Sequence, residues 1–209
     1  MNKIYFRHGT MFSGKSLNLI SAVKTYQHNN KLVVILKPAT DTRDKEVVKS
    51  RMSSEELDCI TFSTTDNLLE VIANEYKMHT FKIDVIFIDE VQFCTVEQIE
   101  QLHELSKYAP IMCYGLKTSY TGELFPSIAK LMTLAEDVSE IKTICSMCKK
   151  KATHNLLLRN GEPVYSGDAI NVEGENSNDE YKAVCRQHFY NPILDFNRKE
   201  EIEWWEDYD

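Results

Sequence analysis

Gly9-Thr10-Met11-Phe12-Ser13-Gly14-Lys15-Ser16 fits the pattern G-x-x-x-x-G-K-[ST], in which glycines, a lysine and a hydroxyl act together on a polyphosphate. The glycines let the backbone fold around an anion so that its N–H groups point inward, with the positive end of a helix behind them. In that arrangement Lys15 reaches the β and γ phosphates and the Ser16 hydroxyl ligates Mg²⁺. The metal needs a second acidic element, and Val85-Ile86-Phe87-Ile88-Asp89-Glu90 supplies two adjacent carboxylates at the end of an apolar run. There Asp89 holds Mg²⁺ through water and Glu90 serves as general base. No N-K-x-D motif for reading guanine is present, so ATP is the expected nucleotide. The plainer alternatives are a chance Gly/Lys/Ser loop and two solvated acids ending a strand.

Cys145-Ser146-Met147-Cys148 and Cys185-Arg186-Gln187-His188 repeat one spacing, offering three thiolates and an imidazole to a tetrahedral ion. A closed Cys₃His set implies structural Zn²⁺. The ion would pin the long excursion between the two pairs at its base; the alternative is a redox pair beside an unrelated Cys and His. Cys59, Cys94 and Cys113 read as small apolar side chains on or beside strands.

These groups need elements to hold them. A strand near residues 4–6, a helix over 16–27 and a strand over 31–37 ending at Pro38 give a βαβ rhythm. A short strand over 59–63 leads to a helix capped by Asp66, with Leu69, Ile72 and Tyr76 on one face. The run 83–88 is apolar on both faces, as expected at the centre of a parallel sheet covered on both sides. Thr95-Val96-Glu97-Gln98 predicts a capping box for a helix with Val96, Ile99, Leu102 and Leu105 inward, followed by a buried strand over 111–114. Beyond Ile144 the pattern changes to close cysteines, a hairpin signal at Asn160-Gly161 and a polar loop over 173–180.

The expected fold is therefore α/β: a P-loop parallel sheet flanked by helices over residues 1–142, then a small zinc-binding domain over 143–192. Residues 193–209 read as an acidic tail; the last ten hold six acids and two tryptophans. No internal repeat is visible. The chain has 209 residues and a formal charge of -8, which argues against broad nucleic-acid binding because phosphate neutralisation needs excess Lys and Arg. Its apolar runs fall far short of the roughly 20 residues of a membrane span. The start reads as a strand, not an apolar leader, so a cytoplasmic protein with reduced thiols is expected.

The residues resemble the type II thymidine kinases, the zinc-containing tetrameric class of bacteria, large DNA viruses and animals. The resemblance covers about residues 3–192. It rests on the P-loop, on Lys37-Pro38-Ala39-Thr40-Asp41-Thr42-Arg43, on Asp89-Glu90-Val91-Gln92-Phe93, on Tyr114-Gly115-Leu116-Lys117-Thr118 and on both metal pairs in order. It implies transfer of the ATP γ-phosphate to the 5′-hydroxyl of thymidine, and of deoxyuridine, with Glu90 taking the hydroxyl proton. It also implies that Asp41, Arg43 and Gln92 join the polar cluster. The base would lie between Met11, Phe93, Leu116, Tyr120, Phe125 and Tyr181, under a lasso loop tied down by zinc. A homotetramer and feedback inhibition by dTTP belong to the same expectation. Tyr120 stands where Phe is usual, and the lasso stretch 172–180 is longer and more acidic than the family pattern. The alternatives are another P-loop phosphotransferase, or a zinc-ribbon ATPase that binds nucleic acid; for the latter, Lys149-Lys150-Lys151 is more simply a solvated turn.

Overall fold

The computed structural model describes residues 1–40, 46–75, 82–167 and 178–192. Its largest unit is a six-stranded sheet built from β1 (Ile4–His8), β2 (Val33–Pro38), β5 (Ile60–Phe62), β6 (Val85–Ile88), β7 (Ile111–Gly115) and β8 (Asp137–Glu140). The spatial order is β5-β2-β6-β7-β1-β8 and every pairing is parallel. A hairpin of β3 (Val47–Lys49) and β4 (Glu56–Asp58) lies outside it.

Side-chain alternation explains why the central strands are apolar throughout. From β6, Val85 and Phe87 pack with α1 (Lys15–His28), through Leu19, Ile20 and Val23. Ile86 and Ile88 turn to the opposite face, where α2 (Leu68–Glu75), α3 (Val96–Leu105) and α4 (Pro126–Leu134) cover them. β7 divides in the same way, with Ile111 and Cys113 on the second face and Tyr114 on the first. Cys94 is buried beside Cys113, and desolvation pushes its thiol up to about 12, which suits a packing role.

Helix starts follow from single side chains. Thr95 and Gln98 form the expected capping box. Gln98, however, takes an inward place itself, donating from Nε2 to the carbonyls of Ser63 and Asp66 at 2.8 and 3.0 Å, while Val96 is half-buried. The cap of α2 falls one residue later than Asp66: the Leu69 N–H donates to Asn67 Oδ1 at 2.9 Å, whereas Asp66 accepts the Ser63 N–H at 2.6 Å. Leu69 and Ile72 do face the core, and Tyr76 lies outside the described residues.

Past Thr143 a second, antiparallel sheet appears, in the order β10 (Glu162–Val164), β9 (His154–Arg159), β11 (Asp179–Val184), followed by α5 (Arg186–Tyr190). Asn160 and Gly161 join β9 to β10 with φ of 54° and 84°, the left-handed pair that a two-residue hairpin turn requires.

Candidate active site

The chain leaves β1 at His8 and turns through the glycine-rich segment into α1. Gly14, just before the helix, has φ of 82°, where a side chain would be strained. Gly9 is needed for a different reason: a Cβ there would stand 2.3 Å from Ser13 Oγ and 2.7 Å from the Ile141 carbonyl. Lys15 is buried, and its ammonium donates to the Thr10 carbonyl at 2.9 Å, so the cation lies across its own loop.

Asp89 follows β6 and faces that loop, because β7 alone separates β6 from β1 in the sheet. Ser16 Oγ donates to Asp89 Oδ2 at 3.3 Å. Burial, with Glu90 beside it, pushes the Asp89 carboxyl up to about 7, against the opposing charges of Lys15 and Lys37. Lys37 is buried at the end of β2 and donates to the Val47 carbonyl at 3.2 Å. A lysine inside the apolar run Val33–Pro38 is the sequence signal for this charged group beside the site.

Among the described residues, three buried side-chain oxygens lack a hydrogen-bond partner: Thr10 Oγ1, Ser13 Oγ and Asp89 Oδ1. Each such group costs about 1–3 kcal/mol when left unsatisfied. All three belong to the loop or to the carboxylate opposite it, where a polyphosphate and its divalent cation would supply the missing partners. The residues present therefore fit Mg²⁺ with ATP.

Glu90 adopts φ 50° and ψ 41°, a left-handed conformation that costs a non-glycine residue roughly 1–3 kcal/mol. The following 3₁₀ turn, Val91–Phe93, fixes it. Gln92 Nε2 donates to Glu90 Oε2 at 2.6 Å, while Gln92 Oε1 accepts the Leu116 N–H at 3.0 Å. The Ser127 hydroxyl holds the Gln92 carbonyl at 2.8 Å. Gly115 has no room for a side chain, since a Cβ would sit 2.5 Å from Gln92 Oε1. The carboxylate is thus aimed by a buried amide that is itself held by the Leu116 N–H, on a residue whose main-chain carbonyl is held by Ser127 of α4.

The residues expected around a nucleoside fall into two groups joined by the chain from Leu116 to Tyr120. Phe93 and Phe125 meet edge to face at 6.4 Å, with Leu116 packed on the same core. Tyr120 and Tyr181 meet edge to face at 6.4 Å and cluster with Leu157, Met11 and Val164. The Tyr120 hydroxyl donates to the Ser166 carbonyl at 3.5 Å and lies against Gly167, where a Cβ would approach it to 2.6 Å. Asp41, Arg43 and residues 168–177, which include 172–177 of the lasso stretch, lie outside the described residues, as does the tail beyond 192.

The four metal-ligating side chains converge. Cys145, Cys148, Cys185 and His188 place their donor atoms within 4.8 Å of one another. His188 Nδ1 is 3.3 Å from both Cys145 Sγ and Cys185 Sγ, and the Cys148 and Cys185 sulfurs are 3.8 Å apart. Thiolates about 2.3 Å from a tetrahedral zinc are separated by about that distance. The N–H groups of Met147 and Lys150 donate to Cys145 Sγ and Cys148 Sγ, each at 3.4 Å, as suits anionic sulfur. Three sulfurs and one nitrogen in this geometry fit structural Zn²⁺.

One residue escaped the sequence reading. Asn155 of β9 is buried, accepts the Met11 N–H at Oδ1 (2.8 Å) and donates from Nδ2 to the Thr118 carbonyl (3.1 Å). A lone Asn in the apolar run of β9 was the available signal.

Comparison with known proteins decides the family. A family model described as thymidine kinase matches residues 2–189. The chain belongs to the thymidine kinase family. The thymidine kinase of Francisella tularensis subsp. holarctica is 35% identical over 195 residues, covering 90% of this chain and 97% of that protein. Two streptococcal thymidine kinases, from Streptococcus pyogenes and Streptococcus agalactiae, are each 36% identical, covering 93% of this chain and 100% of theirs. A solved Pif1 helicase from Candida albicans shares 13% identity at a TM-score of 0.43, over 68% of this chain and 36% of that one, a likeness too slight to bear on function. No helix among the described residues is long and apolar enough to cross a membrane.

Proposed function

We propose that this member of the thymidine kinase family transfers the γ-phosphate of ATP to the 5′-hydroxyl of thymidine, and of deoxyuridine, to give the monophosphate. The observation that carries the reading is the pairing at the end of β6: a buried Asp89 bonded to Ser16 of the phosphate loop, next to a Glu90 held by Gln92. Gly9, Thr10, Met11, Phe12, Ser13 and Gly14 form the cradle, and Lys15 offsets the phosphate charge. Ser16 and Asp89 would hold Mg²⁺, which would supply charge neutralisation at the phosphate oxygens when bound. Glu90 takes the proton from the 5′-hydroxyl as that oxygen attacks the γ-phosphorus, whose bond to the β–γ bridging oxygen breaks to release ADP.

The nucleoside lies against Met11, Phe93, Leu116, Tyr120, Phe125 and Tyr181, with Asp41 and Arg43 in the surrounding polar cluster. Residues 1–142 are the ATP-binding domain, and 143–192 the domain whose zinc, on Cys145, Cys148, Cys185 and His188, anchors the lasso. Residues 193–209 form an acidic tail. Homotetramer formation, inhibition by dTTP, a cytoplasmic location and the absence of nucleic-acid binding go with this reading. A kinase assay with thymidine and ATP, beside a gel-shift assay at physiological salt, tests it: rapid dTMP formation without a shift is expected, and a shift without dTMP formation would overturn it.

A further inference from the structure

Asn155 is the one buried polar side chain of β9, and its two hydrogen bonds reach segments far away in the chain. Its Oδ1 takes the N–H of Met11, inside the phosphate loop. Its Nδ2 gives to the carbonyl of Thr118, which stands two residues after Leu116 and two before Tyr120. Leu157 follows two residues later on the same face of β9, and its side chain completes the cluster of Met11, Tyr120 and Tyr181.

The amide therefore ties together two segments distant in the chain: the loop carrying Met11, and the segment between Leu116 and Tyr120. We propose that Asn155 is a positioning residue that fixes these two segments against each other, and so the shape of the nucleoside site whose side chains they carry; this rests on the thymidine kinase reading above. A planar amide suits the task, because it offers an acceptor and a donor on one rigid group, each to a main-chain partner that cannot rotate away. Within the cradle, the Met11 N–H is taken by Asn155 and its side chain packs with Tyr120 and Tyr181, so a loosened Met11 disturbs the nucleoside side more than Lys15 and Ser16 at the far end of the loop. The cavity bordered by His8, Thr10, Lys117 and Asn155 lets water enter beside a shortened side chain, which limits the damage to folding.

Steady-state kinetics on the full chain tests the proposal, with thymidine and ATP varied in turn for wild type, Asn155→Leu and Asn155→Ser. Removing two buried hydrogen bonds is expected to raise the KM for thymidine on the order of tenfold or more. The kcat and the KM for ATP should stay within about threefold. A thymidine KM within twofold of wild type, or an equal loss across all three parameters, would overturn the positioning role. Should Asn155→Leu fail to fold, Asn155→Ser carries the same expectation. A wild-type protein without thymidine turnover would remove the functional reading together with this inference, whereas an active wild type with unchanged variants removes the inference alone.

Discussion

Gln92 donates from Nε2 to Glu90 Oε2 at 2.6 Å while its Oε1 accepts the Leu116 N–H at 3.0 Å, so one amide ties the carboxylate to the main chain just after β7. Gln92→Leu keeps the bulk and removes both bonds. It leaves the Leu116 N–H without its partner, at a cost of about 1–3 kcal/mol, and lets Glu90 leave its strained conformation. The expected result is a kcat about 10- to 100-fold lower with the KM for ATP little changed, measured by steady-state kinetics. An unaltered kcat would separate Gln92 from the chemistry.

Glu90→Gln preserves size and hydrogen bonding at the same position but cannot accept a proton. Turnover should fall about 10²- to 10⁴-fold, while calorimetry should show thymidine binding close to that of wild type. Near-normal turnover would exclude Glu90 as the base.

Gly9→Ala places a methyl group 2.7 Å from the Ile141 carbonyl and 2.3 Å from Ser13 Oγ. Main chain cannot yield as a flexible side chain can, so the phosphate loop must shift. Phosphate transfer should be abolished, with nucleotide binding by fluorescence at least tenfold weaker; retained ATP affinity would show that the loop tolerates displacement.

Freshly purified protein should contain about one zinc per chain, and chelation or Cys148→Ser should act first on the small sheet. Hydrogen exchange is the measurement: amides of β9 and β11 should lose protection while those of β1, β6 and β7 keep theirs. Uniform loss across both sheets, or the absence of zinc in unchelated protein, would contradict a local structural role.

How far the sequence could be read depended on whether a signal was local. The phosphate loop, the β6 carboxylates and the thymidine kinase resemblance were legible because their chemistry requires fixed residue types at fixed spacing. The Thr95 and Gln98 capping box likewise involves neighbours only. The edge strand β8 was not legible: Asp-Val-Ser-Glu has no apolar alternation, and its place comes from pairing with β1, over 130 residues away. Asn67 rather than Asp66 caps α2 because Asp66 is drawn to the Ser63 N–H, a choice between adjacent acceptors that composition does not rank. Asn155 stayed hidden for the reason that makes it informative, since both of its partners are main-chain groups in distant segments.

The proposed nucleoside site, with apolar side-chain walls and hydrogen-bonding groups that read the base edge, sets an order of substrates. Met11, Leu116, Tyr120 and Phe125 suit one pyrimidine ring with a small 5-substituent, so purines should be excluded by size. Among pyrimidines the edge decides. Thymine and uracil present an N3–H donor and an O4 acceptor, whereas cytosine reverses both and would set buried groups against like partners. A site built for one hydrogen-bonding pattern rejects the wrong one by roughly 10⁴ or more, while one methyl in an apolar slot is worth only about 10- to 200-fold. Thymidine should therefore be phosphorylated best and deoxyuridine modestly less well, with deoxycytidine and purine nucleosides nearly inert. Measuring kcat/KM across the four classes is the test. Deoxycytidine turned over as well as thymidine would show that no fixed hydrogen-bonding pattern reads the base edge.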